Sequence, residues 1–349
     1  MHAINPTGFA PTYKAHWPKA LDPELQSICT KVSNAFWTIV TTLLYPLWAL
    51  IGFIYRNAYH AILPPRSSRS ESELQKNGDH LLSKHNGQKI KVTTPDGLSL
   101  EGALYKGSKH PKKAILYAFG RSKDWESCDY PTHLLTQTGA NVLILNHRTN
   151  DHGVPDEKGF ALDVWSAFNY LVAHGFDPED IVTIGQSMGG ARTAVGLKLV
   201  QEQYPDKKIN CINTRSMSTL SRELFYLLKK EFVNLTCNVI PECIAKILGY
   251  IIAFAASVGF WFIGGDVDAQ SALLTLKGKI CIVHNPYDSI IPAEAQMITA
   301  LKGEQRNFVS IEMDKVPGED GVTAHIRGYN DREKKLLFDQ IGEMLKVRL

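Results

Sequence analysis

The stretch "IVTIGQSMGGARTA", residues 181–194, decides how this chain folds. Ile181 to Gly185 read as a strand, apolar and rich in β-branched residues. The run "ARTAVGLKLVQEQY" that follows reads as a helix. Between the two, Ser187 is set between Gly185 and Gly189, where the backbone turns sharply. A G-x-S-x-G turn holds its serine in a strained conformation, and small residues two before and two after it keep the crossing chain from clashing. Gly190 gives the helix further room for close approach. Such a short pattern arises by chance, but a strand leading in and a helix leading out make Ser187 a candidate nucleophile.

Outward from this turn the chain alternates between strand and helix. Runs with strand character are "AILYAF" (114–119), "NVLILN" (141–146), "INCINT" (209–214), "KICIVH" (279–284) and "FVSIEM" (308–313). Most are nearly all apolar, as central parallel strands covered on both faces must be. Phe160, Val164, Phe168 and Leu171 recur on one helical face, with Asp156 as N-cap and Gly175 as the stop. "DREKKLLFDQIGEMLKVRL" is an amphipathic closing helix, and "IKVTTPDGLSLEGALYKG" reads as a hairpin turning at Asp96-Gly97. This alternation predicts an α/β fold built on a mostly parallel, doubly wound sheet.

A serine hydroxyl attacks well only when a base takes its proton and a carboxylate orients that base. In folds of this layout the partners follow in the order Ser, Asp, His. Asp288 lies in "NPYDSIIP", just past the strand ending at His284, on the edge where ligands gather in open α/β sheets. His325 lies in "GEDGVTAHIRGYN", expected as a loop between the last strand and the closing helix. His147 and His284 directly end strands and read as structural histidines. The oxyanion of a tetrahedral intermediate needs backbone donors. The amide of Met188, next after the nucleophile, is one, and that of Arg121 in "FGRSKDW" is the other.

The remaining features bound the readings. The chain has 349 residues, 44% apolar and 21% charged, enough for one α/β domain with additions. A formal net charge of +3 with scattered basic residues argues against a nucleic-acid partner. Six cysteines lack metal-ligand spacing, so no metal is expected, and Cys211 and Cys281 fall in core strands as reduced thiols. This points to a reducing, cytoplasmic compartment, although a Cys237–Cys243 bridge stays open. No cleavable signal peptide is read at the start. Residues 32–55, "VSNAFWTIVTTLLYPLWALIGFIY", carry no charge and read as a membrane span, a monotopic anchor or a kinked helix packed on the domain. Residues 63–78 read as a linker. Residues 1–75 would thus be leader, apolar helix and linker, and residues 76–349 the catalytic domain. The long interval between Thr214 and Lys279 predicts a helical cap insertion at about 217–277. Within it "ILGYIIAFAASVGFWFIGG" (247–265) is uncharged, and a buried or lipid-facing cap helix fits better than a second span.

Taken together, these residues resemble the α/β-hydrolase superfamily. More narrowly they resemble its membrane-associated serine-hydrolase branch, with lysophospholipase-like and acyl-protein-thioesterase-like enzymes. The resemblance runs from about Ile90 to the C-terminus. It rests on Gly185 to Gly190, on "LNHRTNDHGVPDEKGFALDVWSAFNYL" and on "HNPYDSIIP". Phe119-Gly120 stands where the family has His-Gly, and Thr149 where a glycine follows the arginine. The expected function is a serine hydrolase cleaving an ester or thioester of a lipophilic acyl group through an acyl-enzyme, with no cofactor. A membrane surface is the expected partner beside the substrate. The alternatives are a serine peptidase with the same residues, or a non-catalytic membrane-associated binding protein on a hydrolase scaffold.

Overall fold

A computed structural model describes residues 31, 69–121, 123–148, 156–236, 241–262, 266–302, 304 and 308–349. All but Lys31 lie in the unit that runs from Ala58 to Leu349. The apolar run at 32–55 and Cys237 lie outside the described residues.

Eight strands form one sheet: β1 (Gly87–Thr93), β2 (Ser99–Tyr105), β3 (His110–Ala118), β4 (Ala140–Leu145), β5 (Ile181–Gln186), β6 (Asn210–Thr214), β7 (Ile280–His284) and β8 (Val309–Glu312). Their order is β1-β2-β4-β3-β5-β6-β7-β8. β1 and β2 are antiparallel, as is β2 with β4, and every later pair is parallel. The hairpin turns at Gly97, whose φ of +85° a side chain would resist. β4, β5 and β6 are buried along nearly their whole length, which accounts for their mostly apolar and β-branched sequences; the buried Asn210 and Asn213 of β6 are hydrogen-bonded.

Helices cover both faces. On one face lie α1 (Glu71–Lys84), α2 (Asp129–Thr136) and, closing the chain, a helix over Asp331–Leu345. Leu81, Leu134, Leu135, Leu337, Ile341 and Met344 there join Tyr105, Ile115, Tyr117, Ile184 and Ile212 of the sheet in one core. On the other face α3 (Glu157–Ala173) packs on α4 (Met188–Gln203), both with nearly continuous buried residues. Asp156 caps α3 by accepting the Gly159 N–H at 2.6 Å, and Gly175 follows its end at φ +92°.

Between β6 and β7 the chain makes the helical insertion, with α5 (Leu220–Thr236), α6 (Glu242–Phe262) and α7 (Ala269–Leu274). Among the described residues no helix is long and apolar enough to cross a membrane. α6 packs along α5, and its burial pattern runs against ordinary amphipathicity. Ala245, Gly249, Ala253 and Ala256 face inward, while Ile247, Ile251 and Phe254 are 61%, 59% and 64% exposed. Small residues let the two helices approach, and the large ones are left outside. After β7 come α8 (Met297–Ala300), β8, α9 (Gly321–Ile326) and α10 (Asp331–Leu345).

Two expectations are corrected. The stretch 63–78 is not all linker, because α1 begins at Glu71 inside it. Ser70 accepts the Glu73 N–H and the Glu73 carboxylate accepts the Ser70 N–H, a capping box strong enough to start a helix in a Ser-rich sequence. His325 is not in a loop but in the short helix α9, capped by Asp320 accepting from the Thr323 N–H at 2.6 Å. Cys211 and Cys281 are free and buried, and Cys243 is a free, exposed thiol.

Candidate active site

β5 delivers the chain to Ser187, which adopts φ +56° and ψ −126° before α4 begins at Met188. Positive φ at a serine stores roughly 1–3 kcal/mol of strain. The neighbours show why glycine is needed here. A Cβ on Gly185 would lie 2.5 Å from the Gly189 carbonyl oxygen, and one on Gly189 would lie 2.2 Å from that of Ala118. The Ser187 N–H donates to the Thr214 carbonyl at 2.9 Å, which ties the turn to the end of β6.

Ser187, Asp288 and His325 come together at this strand edge. Ser187 Oγ lies 2.9 Å from His325 Nε2, and His325 Nδ1 lies 2.6 Å from Asp288 Oδ2. A carboxylate only accepts, so Nδ1 carries the proton and Nε2 is left to accept the serine O–H. Asp288 Oδ1 accepts the Ile290 and Ile291 N–H groups at 2.8 and 2.9 Å, which fixes the carboxylate plane. The acid turn and the histidine helix are bound together directly. Ser289 N–H donates to Gly321 O at 3.0 Å, and the Asn285 side-chain amide donates to Ala324 O at 3.0 Å. Asp288 and His325 are both buried, while Ser187 is half-buried. Such an arrangement can remove a proton from the serine and stabilise the imidazolium that results.

The two expected oxyanion residues flank the serine. Met188 is the first residue of α4, where a backbone N–H has no acceptor within the helix. Arg121 follows Gly120, and a Cβ built on Gly120 would lie 3.2 Å from the Ser187 Cβ, so the turn after β3 lies against the nucleophile.

Three further buried or half-buried polar groups are notable. Glu223, in the first turn of α5, is buried, and its Oε2 has no hydrogen-bond partner. Burial, and then the charge of Asp288, push its pKa up to about 8, while Arg121 opposes the shift. No sequence signal marked it. Arg148 is buried between two carboxylates: its Nε and NH2 donate to Asp163 Oδ1 at 3.0 and 2.9 Å, and its NH1 donates to Asp96 Oδ2 at 2.8 Å. It joins the hairpin to α3. His147 is half-buried against Phe119, ring centroids 4.5 Å apart, and desolvation and then Arg192 hold its pKa well below the ordinary range.

No family model matches the chain. The multifunctional-autoprocessing repeats-in-toxin of Vibrio cholerae is 33% identical over 125 residues, 32% of this chain and 3% of that protein. The chain thus spans a small fraction of that curated relative's length. Among solved structures, an esterase of Pyrococcus furiosus matches with a TM-score of 0.54 at 18% identity, covering 82% of this chain and 96% of that one. An esterase of Pyrobaculum calidifontis matches with a TM-score of 0.50 at 14% identity, covering 79% and 92%. At these identities the likeness is one of fold. The strand order, the turn at Ser187 and these two neighbours together show that the chain has the α/β-hydrolase fold.

Proposed function

We propose that this chain is a serine esterase acting on esters or thioesters of lipophilic acyl groups. The observation that carries the reading is the hydrogen-bonded line from Ser187 through His325 to Asp288 at the sheet's C-terminal edge. Ser187 Oγ attacks the acyl carbonyl as His325 Nε2 takes the hydroxyl proton, and a C–O bond forms. The carbonyl electrons move to the oxygen, held by the Met188 and Arg121 amides. The oxyanion collapses, the bond to the leaving alkoxide or thiolate breaks, and His325 returns the proton to that group. Water, deprotonated by His325 in turn, attacks the acyl-serine, the acyl–Oγ bond breaks, Oγ takes the proton back from His325 and the carboxylic acid leaves. The residues need no metal or organic cofactor for these steps.

The preference for a lipophilic substrate is supported by α6. A helix that turns Ile247, Ile251 and Phe254 outward and alanines inward presents an apolar stripe suited to a lipid surface. The esterase neighbours support ester over peptide cleavage, and the buried free thiols suit a reducing compartment. The test is fluorophosphonate labelling of the wild type against Ser187→Ala, followed by a rate series over esters of rising acyl length. Labelling of the wild type alone, with rates that climb with chain length, is expected. Equal labelling of the two proteins ends the enzyme reading, and a preference for short esters ends the lipid one.

A further inference from the structure

A cavity lies beside the Ser187 turn, between the sheet and the face carrying α2 and α10. Its volume is about 280 Å³, some nine times the ~30 Å³ share of a water molecule. Among the described residues its lining includes neither Ser187, His325 nor any cap residue, although Gln186 and Ile326, the chain neighbours of Ser187 and His325, form part of it. Its floor is apolar, made by Leu134, Leu135, Ile184 and Leu337. One wall is Arg215, the first residue past β6.

Arg215 is unusual in three ways. It is 3% exposed, and its backbone sits at φ +47°, a strained value for a residue with a side chain. Its N–H donates to the Val283 carbonyl at 2.7 Å, which holds that conformation. Its guanidinium lies over the Tyr329 ring at 5.2 Å, and NH1 donates to the Arg327 carbonyl at 2.7 Å. Nε is buried with no hydrogen-bond partner, and among the described residues no carboxylate pairs with the guanidinium. A buried cation without a counter-charge is costly, and a bound anion removes that cost. Lys123, also on the lining and exposed, adds a second positive charge.

We infer that this cavity binds a small amphiphilic carboxylate, its carboxylate on Arg215 and its alkyl tail on Leu134, Leu135 and Leu337. The guanidinium supplies the charge, and the floor supplies apolar contact that a bare inorganic anion could not use. The ligand class is the one the proposed hydrolysis would release, yet the binding does not depend on that activity.

Titration calorimetry with sodium hexanoate tests the inference on the full chain. The wild type and Ser187→Ala should bind hexanoate at one saturable site with equal affinity. Arg215→Gln should bind about tenfold to a hundredfold more weakly, the worth of a hydrogen bond to a charged group. The uncharged analogue 1-hexanol should show no comparable binding. Because Arg215→Gln removes a buried charge and could alter the fold, the wild type labelled with ¹⁵N-arginine gives a second readout. Hexanoate should shift one Nε–H resonance, assigned to Arg215 by its absence in Arg215→Lys. Absence of saturable binding, equal affinity in Arg215→Gln, equal binding of 1-hexanol, or loss of binding in Ser187→Ala would each overturn the inference. The last would place the acid in the ester site.

Discussion

Ser187 holds its hydroxyl up by a backbone strain that its neighbours enforce, and Asp288 does the matching work for the base. With both its oxygens engaged, the carboxylate fixes the imidazole tautomer that can accept the serine proton. Asp288→Asn is therefore expected to lower kcat roughly 10⁴-fold on any ester the wild type cleaves, with the fold intact by circular dichroism. Glu223 predicts a pH effect. Its folded pKa of about 8 lies above the ordinary 4.5, so the native chain holds a proton that the unfolded chain gives up. Its contribution is fully present below about 4.5 and is lost as pH rises to about 8. Glu223→Gln should flatten the decline of the urea midpoint across that window, and an unchanged slope would remove the assignment. Ser187, Asp288 and His325 were legible in the sequence because each follows a strand that announces itself by composition. Glu223 was not, because its burial is made by the cap folding over the sheet edge, a contact no local pattern encodes.

Helix and strand boundaries follow the same division. The strands were readable to within a few residues because central parallel strands are built mostly from apolar and β-branched residues. The start of α1 was misread because its serines and charges look like linker, although the capping box at Ser70 and Glu73 is written in the sequence. The short helix α9 was misread because one turn and a half leaves no periodicity to detect. Between elements, Arg148 joins the hairpin to α3 through Asp163, whose pKa burial raises against the pull of Arg148. Removing the guanidinium leaves Asp163 buried and unpaired. Arg148→Ala is expected to cost about 3–5 kcal/mol of unfolding free energy, measured by urea denaturation, with the residual folded protein still labelled at Ser187.

For the domain as a whole, the cap is the part least determined by the sheet. Its existence was legible from the interval between Thr214 and Lys279, but which face of α6 turns outward was not. An all-apolar run has no polar face to mark the solvent side. On the proposed lipid-facing role of α6, the wild type should float with lipid vesicles and Ile247→Glu with Phe254→Glu should not, with hydrolysis of a short soluble ester kept within about twofold. Parallel loss of both activities would mean that α6 holds the domain together rather than carrying it to a surface.

The direct bonds from Ser289 to Gly321 and from Asn285 to Ala324 have a consequence for how this domain can vary. They close a loop around α8 and β8, so the spacing between acid and base is set at the loop's neck and not by what hangs below it. β8 is short, largely exposed and at the sheet's edge. Ile311 and Met313 tie that edge to the core, so what can change without touching the proton path is its exposed positions, Val309, Ser310 and Glu312. In this respect the last strand serves as a spacer and the neck as the hinge pin.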